Sequence, residues 1–146
     1  MSAPPENRVP ESGPPSGPQS GIIAPSILVA EDEESLRHLL VRGLGGAGYR
    51  VDVAPDGSAA LVLLAERQYD LLITDIVMPK LDGIALALKV SKDYPDTKIL
   101  MMTGFAHERM RAHNLDCLSH EVIPKPFTLK QMLSIVDDVV GPAPTP

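Results

Sequence analysis

Several polar side chains that can take part in chemistry come directly after short apolar stretches of the sequence. In chain order they are Glu31 and Asp32, Asp75, Thr103, and Lys125. Three carboxylates held close together repel one another, and Mg²⁺, which prefers hard oxygen ligands, would neutralise them. A lysine supplies the positive charge that a transferring phosphoryl group needs, and a threonine hydroxyl can donate to a phosphate oxygen. These residue types therefore predict attack by a carboxylate on phosphorus, which would give an acyl phosphate.

Short apolar runs alternate with segments of helical periodicity along the chain. The runs are too short for buried helices and fit the buried strands of a parallel sheet. Strands are predicted at 27–30, 50–54, 71–74, 98–102 and 122–123, and helices at 34–47, after the N-cap Asp56, at 82–93, at 106–118 and from Leu129. Five strands alternating with five helices indicate an α/β fold with helices on both faces of the sheet and right-handed crossovers. In such folds a site lies outside the carboxyl ends of the strands, so we expect the polar side chains to meet there.

The acidic run at 31–34 also has a simpler interpretation, as a solvated helix start favoured by the helix dipole. We accept that interpretation for Glu33 and Glu34. Asp32 and Asp75 both follow predicted strands, so a shared site is the stronger interpretation for these two residues.

The first predicted helix carries four leucines on one face and ends in a glycine-rich segment. The four are Leu36, Leu39, Leu40 and Leu44. Residues 43–48 fit the pattern Gly-x-Gly-x-x-Gly. In a dinucleotide site this pattern follows a strand and opens a helix, whereas here it ends a helix and precedes a strand. We therefore predict helix termination at these glycines and no dinucleotide cofactor.

Composition narrows the class of protein. A chain of 146 residues has room for one domain, and with two Phe, three Tyr and no Trp its core must be aliphatic and methionine-rich. The net charge of −6 argues against nucleic acid as a partner.

The single cysteine, Cys117, excludes an intramolecular disulfide and a cysteine zinc cluster, and the histidines lack partners at metal-ligand spacing. No apolar run approaches the ~20 residues that span a bilayer and no signal peptide is recognisable, so we predict a cytoplasmic location without membrane insertion.

Proline content sets the predicted domain boundaries. Residues 1–25 hold seven of the 15 prolines and few large apolar side chains, so this leader is predicted to be disordered. Residues 26–140 are predicted to form the folded domain, and 141–146 a flexible tail.

Four motifs occur in an order that resembles response-regulator receiver domains. They are Ala30-Glu31-Asp32-Glu33, Thr74-Asp75-Ile76-Val77-Met78-Pro79 with Leu81-Asp82-Gly83, Met102-Thr103-Gly104, and Lys125-Pro126-Phe127. The resemblance covers about residues 26–140 and implies a flavodoxin-like (βα)5 fold, a doubly wound parallel five-stranded sheet of strand order 2-1-3-4-5. It implies that Asp75 accepts phosphate from a phosphohistidine, carried by a histidine kinase or a histidine phosphotransfer protein.

The same resemblance assigns the remaining site residues. The implied Mg²⁺ ligands are Glu31, Asp32, Asp75 and the backbone carbonyl of Val77. Thr103 is the implied switch hydroxyl and Lys125 the implied phosphoryl contact, with a cis bond between Lys125 and Pro126.

Within the receivers, three segments look like the stand-alone CpdR type. They are Ala47-Gly48-Tyr49, residues 71–87 and residues 101–106. This narrower resemblance implies a monomer or weak dimer that controls regulated proteolysis in the cell cycle, with the unphosphorylated form priming the ClpXP protease or its adaptors and with recruitment to a cell pole. With six residues after Val140, we expect output by direct protein contact and not through a DNA-binding domain.

Other functions stay open at this point. The chain could be a phosphate sink that drains a shared phosphotransfer protein, or a receiver-like scaffold that takes no phosphate. A haloacid-dehalogenase-like phosphatase uses similar residues but needs a second Asp two residues after its nucleophile, where this chain has Val77. Many receivers also place an aromatic residue three positions before the lysine, where this chain has Val122, so the usual aromatic coupling is not expected.

Overall fold

The computed structural model describes residues 24–104 and 120–142, in which strands and helices alternate. The elements are β1 (Ser26–Ala30), α1 (Glu34–Gly46), β2 (Arg50–Ala54), α2 (Gly57–Glu66), β3 (Leu71–Asp75), α3 (Gly83–Asp93), β4 (Lys98–Thr103), β5 (Glu121–Pro124) and α4 (Leu129–Val140). All five predicted strands and four of the predicted helices are confirmed. The helix predicted at 106–118, with His107, His113 and Cys117, lies outside the described residues, as do leader residues 1–23 and tail residues 143–146.

The five strands form one parallel sheet in the order β2-β1-β3-β4-β5, which confirms the predicted topology. The register aligns the carboxyl ends of the inner strands. Ala30 pairs with Thr74, Asp75 pairs with Met102, and Thr103 pairs with Pro124. The residues that follow β1, β3, β4 and β5 therefore start from one edge of the sheet.

Each face of the sheet has its own apolar core, because alternate residues of a strand point to opposite faces. Leu28 and Leu72 belong to the core under α2 and α3. Ile27 and Ile73 belong to the core under α1 and α4. Burial on both faces explains why the inner strands are continuous apolar runs. None of the helices described is both long and apolar enough to cross a membrane.

Helix α1 departs from the prediction at one leucine. Leu40 and Leu44 are fully buried, but Leu39 is 44% exposed. Leu39 is one position before Leu40, or about 100° around the helix, so it lies beside the buried stripe and not in it.

The glycines at the end of α1 terminate the helix, as predicted. The helix continues through Gly43 and ends at Gly46, and Gly48 has a φ of 106°, which favours glycine. A Cβ atom on Gly43 would lie 2.3 Å from Cδ1 of Leu129, so this glycine lets α1 and α4 approach closely.

Candidate functional site

Three carboxylates meet at the carboxyl edge of the sheet. Asp75 is the last residue of β3, and Glu31 and Asp32 follow β1 directly. One carboxylate oxygen from each of the three residues lies within 4.8 Å of the others. Glu31 and Asp75 are only 1% and 8% exposed, whereas Asp32 faces solvent. This oxygen-only donor set, open on one side, fits a hard divalent cation such as Mg²⁺.

Lys125 lies opposite these acids. Its Nζ is 3.2 Å from Oε1 of Glu31 and 3.3 Å from Oδ2 of Asp75. The lysine follows β5, and its backbone N–H donates to the carbonyl oxygen of Thr103 at 2.7 Å. The Lys125–Pro126 peptide bond is cis, as the resemblance implies.

Burial controls the electrostatics of this cluster. Desolvation raises the pKa of Glu31, and the negative charge of Asp75 adds to that effect. Desolvation also raises the pKa of Asp75, although Lys125 opposes the rise. Burial alone would lower the pKa of Lys125, but the charges of Asp75 and Glu31 together raise it above its ordinary value. The carboxylates thus remain costly to ionise with one lysine present, and a divalent cation would reduce that cost.

Thr103 brings a buried hydroxyl to the same edge. It ends β4, one residue beyond the partner of Asp75, and is fully buried. Its Oγ1 makes no hydrogen bond within the part of the chain that the structure describes. Buried hydroxyls normally have partners, so an orphaned one is a candidate ligand-binding group.

The loop after Asp75 is held by close backbone contacts. The N–H of Ile76 donates to the carbonyl of Met102 at 3.2 Å, and the N–H of Gly83 donates to the carbonyl of Ile76 at 2.7 Å. A Cβ atom on Gly83 would lie 1.9 Å from the carbonyl oxygen of Asp75, so only glycine fits there. Helix α3 therefore begins directly against the backbone of Asp75. Val77 lies in this loop with its side chain exposed, and the role of its carbonyl stays a prediction.

The far end of the loop is tied to the start of α2. Lys80 has a φ of 70°, and its Nζ lies 3.5 Å from Oδ2 of Asp56. Asp56 also caps α2, as predicted, by accepting from the N–H of Ala59 at 2.8 Å. A Cβ atom on Gly57 would lie 2.7 Å from the carbonyl oxygen of Leu81. Sequence reasoning found the cap but missed these loop contacts, which join segments far apart in the chain.

Other residues considered from the sequence do not join the site. His38 is exposed on α1, where its Nε2 lies 3.9 Å from Oε2 of Glu34. Met101 and Met102 are fully buried core residues of β4. Val122 is partly buried on β5 and packs against the core under α2 and α3.

Comparison with known proteins agrees with this geometry. The family profile described as the response regulator receiver domain matches residues 27–137. The response regulator receiver protein CpdR of Brucella abortus (strain 2308) is 38% identical over 114 residues, which cover 78% of this chain and 95% of that protein. The sensor kinase CckA of the same organism is 35% identical over 118 residues, 79% of this chain but only 12% of the kinase. The Thermotoga maritima response regulator TrrA, solved in complex with Mg²⁺ and BeF, is 32% identical with a TM-score of 0.70, and the match covers 79% of this chain and 98% of that one.

Proposed function

This chain belongs to the response regulator receiver family, and on that premise we propose that Asp75 accepts a phosphoryl group from a phosphohistidine donor. The observation that carries the proposal is the cluster at the sheet edge: three carboxylates within 4.8 Å, with the Lys125 ammonium 3.3 Å from Asp75. The proposed receiver domain spans residues 26–140, around the matched residues 27–137. The proposed donor is a histidine kinase or a histidine phosphotransfer protein.

In the proposed reaction, a carboxylate oxygen of Asp75 attacks the phosphorus of the donor in line with the bond that breaks. A new O–P bond forms, the P–N bond of the phosphohistidine breaks, and its electron pair returns to the imidazole nitrogen. Lys125 Nζ lies 3.3 Å from Oδ2 of Asp75, which supports its proposed role of binding an oxygen of the arriving phosphoryl group.

The donor set fits Mg²⁺, and we assign its binding to four groups. They are the carboxylates of Glu31, Asp32 and Asp75 and the backbone carbonyl of Val77. When bound, Mg²⁺ supplies positive charge that offsets the phosphoryl oxygens. The relative TrrA was solved with Mg²⁺ and BeF, which supports this assignment by likeness.

Thr103 is the proposed sensor of the phosphoryl group. Its buried hydroxyl lacks a partner among the described residues, so a phosphoryl oxygen at this edge would supply the missing hydrogen bond. Phosphorylation would then stabilise one arrangement of the end of β4.

Output by direct protein contact is the proposed consequence. The match to CpdR covers 95% of that relative and the match to the sensor kinase CckA covers 12% of the kinase, so the proposed output follows the likeness to CpdR. The CpdR-type resemblance implies that the unphosphorylated form primes ClpXP, and we propose this role here. The alternative is that the chain acts as a phosphate sink, and the second experiment below separates the two roles.

The first experiment tests phosphorylation. Wild type, Asp75→Ala and the control Asp96→Ala, an exposed aspartate just before β4, are incubated with Mg²⁺ and acetyl phosphate. Intact-mass measurement should show one added phosphoryl group on wild type and Asp96→Ala but none on Asp75→Ala. Equal labelling of all three proteins, or labelling of none, would refute the proposal.

The second experiment tests the output. Immobilised Asp75→Ala, which stays unphosphorylated, is exposed to purified ClpX unfoldase and, separately, to a purified histidine phosphotransfer protein. Binding of ClpX that is lost when wild type carries beryllofluoride would support control of proteolysis. Binding of the phosphotransfer protein alone would instead assign the chain as a phosphate sink.

A further inference from the structure

The turn between β1 and α1 carries two of the three clustered acids, yet the helix that follows it lacks a side-chain cap. Glu33 is the N-cap residue of α1, and its side chain makes no capping hydrogen bond. The backbone N–H of Glu33 instead donates to Oε2 of Glu31 at 3.0 Å. The Glu31 carboxylate thus supports the turn while also belonging to the acidic cluster.

A second link closes the same turn from the helix side. Arg37, the fourth residue of α1, is partly buried, and its Nη1 donates to the backbone carbonyl oxygen of Glu31 at 2.8 Å. Its own backbone N–H donates to the carbonyl of Glu33 at 3.1 Å. Arg37 therefore ties the first turn of α1 back to the end of β1, and Asp32 lies between the two tied points.

We propose that Arg37 is a positioning residue for the divalent-cation site, acting through the backbone of the turn that presents Glu31 and Asp32. The inference rests on the proposed function, since the cation site is part of it. The guanidinium holds the Glu31 carbonyl in place, so the first residue of the turn cannot move relative to α1. Groups that orient metal ligands without touching the metal commonly have large effects on metal affinity.

The direction in which Mg²⁺ affinity changes when Arg37 is removed separates a positioning role from a purely electrostatic one. A guanidinium close to a cation site repels the cation, so a role through charge alone predicts tighter Mg²⁺ binding when Arg37 is removed. Positioning predicts weaker binding.

Arg42 provides a matched control for charge and for helix stability. It is an exposed arginine on the same helix, five residues and about 7.5 Å of helix rise further from the turn. Arg42→Ala removes the same formal charge without removing the bond to the Glu31 carbonyl.

The test is to titrate the full chain with MgCl₂ and to measure the Mg²⁺ affinity by calorimetry, for wild type and four variants. Arg37→Ala should bind Mg²⁺ about ten-fold more weakly than wild type, the lower end of the range for lost supporting groups. Arg37→Lys, which keeps the charge and a donor, should recover affinity to within roughly three-fold. Arg37→Gln, whose amide is too short to reach, should bind as weakly as Arg37→Ala. Arg42→Ala should match wild type.

A readout without metal tests the backbone link directly. In the absence of Mg²⁺, Arg37→Ala should increase the hydrogen-exchange rate of the Glu33 amide, while Arg42→Ala leaves it unchanged. If Arg37→Ala does not fold, the comparison of Arg37→Gln with Arg37→Lys decides.

Each outcome has a defined consequence. Mg²⁺ affinity of Arg37→Ala or Arg37→Gln that equals or exceeds that of wild type overturns the positioning role and leaves the proposed function intact. An equal loss in Arg42→Ala also overturns it, since the effect would then belong to the helix as a whole. Failure of wild type to bind Mg²⁺ would overturn the proposed function itself.

Discussion

Replacing Thr103 by valine should stabilise the unphosphorylated protein, although it removes a polar group from the proposed site. Thr103 is fully buried, and its hydroxyl has no hydrogen-bond partner in the described part of the chain. Valine has nearly the same shape and no polar atom, so the substitution removes the desolvation cost of the hydroxyl without opening a cavity.

The magnitude follows from the cost of an unsatisfied buried group. Such a group costs about 1–3 kcal/mol, and a single hydroxyl that can rotate lies at the low end of that range. We therefore expect the free energy of unfolding to rise by about 1 kcal/mol. For a domain of this size that corresponds to an increase of roughly 4 °C in Tm.

The assay is urea denaturation at pH 7, with Thr97→Val as the matched control. Thr97 is also buried, but its Oγ1 donates to the carbonyl oxygen of Tyr69 at 2.8 Å. Its replacement removes a satisfied hydrogen bond and should lower the free energy of unfolding by about 1 kcal/mol. The two threonine-to-valine changes should thus have opposite signs.

A third condition connects the stability change to function. Adding Mg²⁺ and beryllofluoride should stabilise wild type more than Thr103→Val, because the proposed hydrogen bond to the phosphoryl analogue requires the threonine hydroxyl. A Thr103→Val protein that is less stable than wild type, or that gains as much from beryllofluoride, would refute the reasoning.

Three further predictions concern the acids, the lysine and the loop. Burial raises the pKa of Glu31 and of Asp75 above their ordinary values of 4.5 and 3.8, so the folded protein holds protons that the unfolded chain has released. Its free energy of unfolding, measured by urea denaturation at a series of pH values, should therefore fall as the pH rises from about 4 towards neutrality. Saturating Mg²⁺ should remove that fall. Lys125→Met leaves both carboxylates without their cation and should lower the free energy of unfolding at pH 7 by about 2 kcal/mol, less than for a fully buried pair because the lysine is partly exposed; an unchanged urea midpoint would contradict this. Gly83→Ala should cost about 3 kcal/mol, since its Cβ meets backbone, whereas Gly45→Ala on the open side of α1 should be neutral or stabilising by up to about 1 kcal/mol; equal thermal shifts for the two would count against the close contact.

The strands and most helix starts could be predicted from local patterns. Runs such as residues 71–74 are continuous and apolar because both faces of the sheet are covered, and a pattern of that kind is legible without a structure. Asp56 could be assigned as a helix cap because a cap bonds to a residue three positions away. The start of α3 could be predicted at Asp82 and Gly83, and the structure adds that the Asp82 side chain caps this helix by accepting from the N–H of Ala85. The prediction for Leu39 is wrong because it groups this residue with Leu40, whereas a step of one residue places Leu39 about 100° around the helix, beside the buried stripe.

The sequence predicts which side chains meet at the site, because their meeting depends on the order of the strands in the sheet. A parallel sheet brings the ends of its strands to one edge, so the meeting of Asp32, Asp75 and Lys125 follows from the alternation of elements and from the motifs. The loop contacts were not predictable. No local pattern pairs Lys80 with Asp56 or places Gly83 against the backbone of Asp75, because those contacts depend on how helices dock.

The sequence by itself therefore determined which residue types reach the edge of the sheet, since side-chain chemistry and strand periodicity are local properties of the chain. Only the tertiary structure decided their electrostatic state and support. Burial, which raises the pKa of Glu31 and Asp75, arises from packing of the whole sheet. The bond from Arg37 to the Glu31 carbonyl and the orphaned Thr103 hydroxyl likewise depend on distances of a few ångströms that no residue pattern specifies.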